Sequence, residues 1–456
     1  MKIRNLFTTY FVEDIELKRS LNLVILGVCF GIVFFNVTTG APIAGFAKEL
    51  GFGDLLYGVM LAMPVLGGAI QLFASYVLER TKKRKLIFFL GGFIQRIPWL
   101  FIPILPFFIS NKNLLFSSIV FLLAITAVGG AFINVSFMSW MGDLVPIEIR
   151  GRFFSHRSML ATLFSFISGL GIGWFLDRVH GLIGFAIVFI FATILGLLDI
   201  CCFFWVYDPP MKISDFSQIN FRRMIKSVIK DSRFSNFLLF AIFWNMALNI
   251  SAPYFNIYMI KYLKMSYFEI ALYVQIVSNV ITILSVRMLG RLIDRFGNKP
   301  ILIISTLVVS FLPYIWCFTT PNNWLFFVIL VQIFAGTFWP GIDLTFNNLA
   351  LYLSPDENRS FYIAVLNFFV GIVNALSFIF GGYIIEYVAP QIVAFVNNVT
   401  GLHLVEYHLI FVLSGILRFT FSRIFLPRIH EERSKPVEEL KNHIVKKIKD
   451  KIENVQ

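Results

Sequence analysis

The chain's most reactive-looking residue is Asp343, a carboxylate set deep in the apolar stretch 324–353. An ionised acid in hydrocarbon is costly, so such a group pairs with a partner, lines water, or takes up and releases a proton. It does not stand alone on its face. Gln332, Gly336, Trp339, Asp343 and Asn347 recur at helical spacing, and Asn245, Asn249, Pro253 and Asn256 do the same in an earlier stretch. Ser136, Trp140 and Asp143 share another face, with Asn134 beside it on a different one, and Asn36, Thr38 and Thr39 precede Pro42. Amides and indoles in such stripes suit hydrogen bonding and stacking with a neutral polar solute; they equally suit hydrogen bonds between neighbouring helices. Three further charges interrupt apolar stretches: Arg96, Asp199 and Arg418. An Arg96–Asp199 pair would offset the cost of burying either ion, a structural role rather than transport chemistry.

Other chemistry has no foothold. No phosphate-cradling GxxxxGK[ST] loop, HExxH or GxSxG occurs, and the six His show no metal spacing. Neither a cofactor nor a metal is expected. Cys29, Cys201, Cys202 and Cys317 lie in apolar stretches without ligand spacing and read as small buried hydrophobes. Of the N-x-[ST] triplets, Asn398 alone is expected to face outward.

The elements that must hold these residues are membrane spans. Of 456 residues 58% are hydrophobic and only 14% charged, with 54 Phe and a mean hydropathy of +0.79. That excludes a soluble enzyme, a disordered scaffold and a secreted disulfide domain. Twelve stretches are long enough to cross a bilayer, near 19–46, 54–79, 85–109, 114–142, 154–177, 182–206, 235–262, 266–292, 299–319, 324–353, 360–388 and 407–427. Lys and Arg concentrate at the N-terminus and in every second loop, which predicts an integral membrane protein with both termini cytoplasmic and accounts for the +13 charge without nucleic acid. The segment 207–233 reads as a basic amphipathic linker between bundles at 1–206 and 234–428, and 429–456 as a charged amphipathic tail on solvent or lipid. The halves repeat: Pro146-Ile-Glu-Ile-Arg150 matches Pro355-Asp-Glu-Asn-Arg359 at an offset of 209, which also sets Gly173 on Gly382, Asp177 on Glu386 and Asn134 on Asp343. Small residues striping spans 5 and 11 let helices approach closely and read as the rocking interface between the halves rather than a binding site.

The loop Gly290-Arg-Leu-Ile-Asp294-Arg295-Phe-Gly297-Asn298-Lys299 closely resembles the G-x-x-x-D-R-x-G-x-[KR] signature of the major facilitator superfamily, and Ser75 to Arg84 is a degraded copy. The resemblance covers residues 19–427. It implies an all-α polytopic membrane protein, twelve transmembrane helices in two pseudo-symmetric six-helix bundles. It also implies that spans 1, 4, 7 and 10 line a central cavity. Asn36, Asn134, Trp140, Asn245, Asn249, Trp339 and Asn347 are then expected to contact substrate, with Asp343 coupling protons. Glu79, Arg80, Lys83, Asp143 and Arg150, with Asp294, Arg295 and Arg359, are expected to form a cytoplasmic gate.

The function expected is secondary transport of a small organic solute by alternating access, with proton coupling, by a monomer of the plasma (inner) membrane. The amide- and Trp-rich lining favours a sugar-like or other neutral polar solute. Efflux of amphiphilic drugs or metabolites is the alternative, and a polytopic membrane enzyme or transporter-like receptor the alternative of another class.

Overall fold

The computed structural model describes residues 15–211, 221–355, 359–401, 403–432 and 434–443, all helix or connection with no strand among them. Twelve helical stretches are long and apolar enough to cross a membrane. Spans 1–6 are Ile15–Thr39, Asp54–Thr81, Arg84–Phe107, Lys112–Leu144, Ile147–Arg178 and Gly181–Trp205. Spans 7–12 are Ser232–Lys261, Tyr267–Phe296, Asn298–Trp316, Trp324–Leu353, Phe361–Thr400 and Glu406–Arg428. Three of these starts carry side-chain caps. Asn111 accepts from the backbone of Asn113 (3.0 Å) and Leu114 (3.2 Å), Asp231 accepts from Arg233 N (3.1 Å), and Ser266 with Glu269 forms a capping box.

The boundaries depart from the sequence reading where proline or a wide turn intervenes. Span 1 stops at Thr39, and a separate helix Ala41–Glu49 starts with Pro42 in its first turn. Span 7 breaks in the same way, Ser232–Asn249 giving way to Tyr254–Lys261 after Pro253. A proline cannot donate into the preceding turn but fits the start of the next one. Span 11 runs past its expected end at 388 to Thr400, because a π-helical turn at Ile384–Val388 lets Pro390 begin a fresh helical segment. Asn398 therefore lies on helix, not loop. Span 5 starts at Ile147 rather than 154, so Arg157 sits nearly three turns into the helix instead of in its first turn. Between spans 6 and 7 the structure has a helix at Phe221–Lys230 with Val228 buried. Arg222, Arg223 and Met224, which carried the expectation of an amphipathic face, lie outside the residues whose side chains are described.

Two compact units emerge. The first gathers the chain up to 219 with 253–271 and 374–382. Its core centres on Phe88, Trp140, Phe153, Ile200 and Phe203. Here the two repeat-matched glycines do matching work. A Cβ on Gly173 would lie 2.8 Å from the Phe268 backbone, and one on Gly382 would lie 2.7 Å from the Leu55 Cα. Span 5 thus abuts the first turn of span 8, and span 11 the first turn of span 2. Asp177 accepts from the backbone N–H of Tyr267 (2.8 Å) and Phe268 (3.0 Å), an anion at a helix N-terminus. Tyr254 donates to the Phe378 carbonyl, and Lys261 pairs with Asp54 at 3.4 Å.

The second unit gathers 220–252, 272–373 and 383–456. The described residues of its tail pack on this unit instead of lying free on solvent or lipid. Leu440 is wholly buried against Leu289, Ile293, Phe296 and Ile301, and Lys435 N donates to the Phe296 carbonyl at 2.9 Å.

Candidate membrane-embedded binding site

Spans 1–6 of the first unit enclose a cavity of about 770 Å3, the size range of pockets for small organic ligands. Its charged wall is the Arg96–Asp199 pair, Nη2 to Oδ2 at 3.2 Å. The pairing anticipated from sequence is present, but it lines the cavity instead of supporting the periphery. Three glycines make room for it. A Cβ on Gly31 would come within 2.5 Å of Asp199 Oδ2, one on Gly27 within 2.8 Å of Oδ1, and one on Gly196 within 2.9 Å of the Arg96 side chain. Arg96 also donates to Gln95 Oε1 at 2.7 Å and stacks 4.2 Å over the Phe34 ring. Arg157 lines the same cavity, 5.0 Å over the Phe137 ring, with its Nε buried and without a hydrogen-bond partner.

Asn134 lies in this wall, with Gln71 and Thr38. Asn36 does not line it: its amide donates to Ser165 O (2.8 Å) and Ser168 Oγ (2.9 Å), tying span 1 to span 5. Trp140 is a correction. It is 0% exposed, packs on Phe88 and Phe203, and donates Nε1 to the Tyr207 carbonyl at 2.8 Å, so no face remains for a solute. Ser136 is likewise wholly buried, so it is the Asn134 face of span 4 that meets the cavity.

In the second unit, Asp343 and Asn347 are exposed and Trp339 half-buried along one face of span 10. Asn245 and Asn249 are half-buried on span 7 and donate one turn back along their own helix, to Ala241 O (2.8 Å) and Asn245 O (2.9 Å). Arg418 is 4% exposed and, among the described residues, bonds to neutral oxygens, Val309 O (3.3 Å) and Ser251 Oγ (3.2 Å).

The Major Facilitator Superfamily family model matches residues 23–289 and 277–451. The chain belongs to the major facilitator superfamily. Solved structures agree on the fold. A bacterial homologue of the human lysosomal transporter Spinster, inward-facing and unoccupied, superposes with a TM-score of 0.66 at 15% identity, over 92% of this chain and 100% of that one. A variant of the nucleoside transporter NupG gives 0.66 at 12% identity, over 90% and 100%. A D-xylose–proton symporter gives 0.62 at 15% identity, over 91% and 99%. No curated protein sequence matches the chain significantly. The protein is an integral membrane protein with the major facilitator fold, all-α with twelve spans.

The superfamily's signature loops gain a physical account at their last position. Arg84, in the degraded copy, is 1% exposed and pairs with Asp143 and with Asp208 (2.6 Å), and it also donates to the Pro209 carbonyl. Its repeat partner Lys299 donates to the carbonyls of Pro427 (3.2 Å) and Ile429 (2.7 Å). In each half this cation fastens the chain that leaves the sixth helix. Sequence reasoning passed over Arg84, and Asp143 is its partner, not that of Glu79, Arg80 or Lys83. Among the described residues Arg80 reaches Tyr76 (3.3 Å), and Lys83 is exposed. Arg150 folds back onto the carbonyls of Gly142 (2.7 Å) and Val145 (3.2 Å), closing the end of span 4. Asp294 is exposed with no ion pair among the described residues, and Arg295 lies over Phe296 near His443 (3.5 Å). The carboxylate seated on a helix N-terminus at this loop is Glu431, which accepts from Asn298 N (3.0 Å) and Lys299 N (2.8 Å). The Arg359 side chain lies outside the described residues.

Proposed function

We propose that the protein is a secondary transporter that moves a small organic solute by alternating access, with both termini on the cytoplasmic side. The observation that carries this reading is the cavity: a mainly apolar space of about 770 Å3 with charged groups in its wall, lined by membrane-spanning helices. Charged groups in such a place are costly and mark solute or ion pathways. Solved relatives of the same fold are described as transporters, one of them a proton symporter.

Energy is supplied by an ion gradient, with Asp343 as the proton carrier on the exposed face of span 10. Asp294, Arg295 and Arg359 act with Glu79, Arg80 and Lys83 as a cytoplasmic gate whose partners are engaged only when that side is closed. The neutral, sugar-like solute suggested by Asn and Trp content loses one support, because Trp140 is in the core while Arg96, Asp199 and Arg157 line the cavity.

Purified protein in sealed liposomes tests the reading. Under an imposed proton gradient, at least one solute from a panel of organic acids, sugars and nucleosides is expected to accumulate and to run down when the gradient is collapsed. Chemical turnover of a panel member without accumulation would instead identify a membrane enzyme.

A further inference from the structure

The charges around the first unit's cavity do not balance. Arg96 and Asp199 form one ion pair, 3.2 Å apart. Arg157 adds a second guanidinium to the same wall, and among the described residues no second carboxylate lines the cavity. Arg157 is close enough to Asp199 to feel its charge, but forms no ion pair with it among the described residues. Its Nε is buried and without a hydrogen-bond partner. The amides of Gln71 and Asn134 line the same space, and neither is bonded to another described residue.

A cation at such depth without its own anion is expensive. A solute that brings one negative charge removes that expense, and two guanidiniums against one aspartate leave room for one. The planar guanidinium fork matches a carboxylate in two parallel hydrogen bonds. The rest of the wall is largely apolar, with Val28, Ile32 and Met138 beside the open rings of Phe35 and Phe137. A volume near 770 Å3 asks for an occupant with a body, not a bare inorganic ion.

We propose that this cavity binds a soluble organic monocarboxylate with an apolar or aromatic body, its carboxylate paired with Arg157 beside the Arg96–Asp199 pair and its body against Phe35 and Phe137. The inference rests on the transport reading and names the substrate class of that site.

The test uses the purified full chain in detergent. Hexanoate, octanoate, benzoate, phenylacetate and indole-3-acetate are each compared with the corresponding amide, by thermal shift and by titration calorimetry. At least one acid is expected to bind about tenfold or more tightly than its amide. Arg157→Gln is expected to erase that preference while leaving amide binding within about twofold. The ligand-free variant is expected to melt no lower than wild type, because an uncompensated buried charge has been removed. Should Arg157→Gln not fold, Arg157→Lys keeps the charge without the fork and is expected to lose about tenfold of the preference. No acid preferred over its amide by wild type, or a preference that survives in Arg157→Gln, overturns the proposal. So does a phospholipid seen by native mass spectrometry on wild type and absent from Arg157→Gln, which makes the site a headgroup site. Binding in detergent is independent of transport. Loss of acid selectivity leaves the transport reading standing, whereas acid-selective binding without accumulation in liposomes overturns transport alone.

Discussion

Arg84 shows how much one side chain can fix. Its guanidinium meets Asp143, Asp208, the Ser139 carbonyl and the Pro209 carbonyl while almost wholly buried. Removing one member of a buried ionic cluster leaves the others uncompensated, at a cost of about 3–5 kcal/mol. Arg84→Ala is therefore expected to lower the melting temperature sharply, and Arg84→Lys to recover only part of it, since an ammonium lacks the fork. Lys83→Ala, one residue away and exposed, is expected to change stability by less than about 0.5 kcal/mol. Lys82 sits at φ +55 where the signature's second copy has Gly297 at φ +88. A side chain in that left-handed region costs about 1–2 kcal/mol, so Lys82→Gly is expected to raise the melting temperature. Asp343→Asn is expected to abolish gradient-driven accumulation and to spare solute exchange across the membrane. Unimpaired accumulation by this variant removes Asp343 from the coupling. These roles were unequally legible. Asp343 stands out in sequence because it interrupts an apolar stretch. Arg84 and Arg157 do not, because a cation at the edge of an apolar run reads as a topology signal until the helix is seen to continue around it.

At the scale of the element, hydropathy reveals that a span exists but not how it breaks. The interruptions at Pro42 and Pro253 occupy matching places in the two halves, and each converts one expected helix into two. The repeat offset of 209 proved the better guide to contacts, since it picked out Gly173 and Gly382 before their neighbours were known. Both sit too close to another helix's backbone for a side chain. Gly173→Leu and Gly382→Leu are expected to cost about 1–3 kcal/mol each by overpacking and to slow transport, while Gly171→Leu, which faces open space, is expected to do neither. Equal melting temperatures for the three variants would show that these close approaches carry no energetic weight. The tail could not be read at all from its own residues. Its alternation of charge and apolar side chains is that of any surface helix, and only the fold supplies the partner on which Leu440 is buried. Glu431→Gln weakens two hydrogen bonds at the start of span 9 by removing the charge. Hydrogen exchange at Asn298 and Lys299 is expected to rise by about fivefold.

For the whole molecule, composition settled class and span count because 456 residues with 14% charge leave no other solvent than lipid. The cavity was not legible, since it is made by helices that no local pattern brings together. Orientation is testable on a background lacking the four native cysteines, where single cysteines at positions 226 and 398 are expected to label from opposite faces with an impermeant maleimide. The central claim is that this cavity is reached from each side of the membrane in turn. Asn134→Cys, in the cavity wall, on the same cysteine-free background and in sealed proteoliposomes that retain a trapped dye, tests it most directly. Alternating access predicts that impermeant maleimide labels this cysteine from the outside alone and from the inside alone, with the dye retained throughout. Labelling from one face only, or labelling from both with loss of the dye, would contradict it.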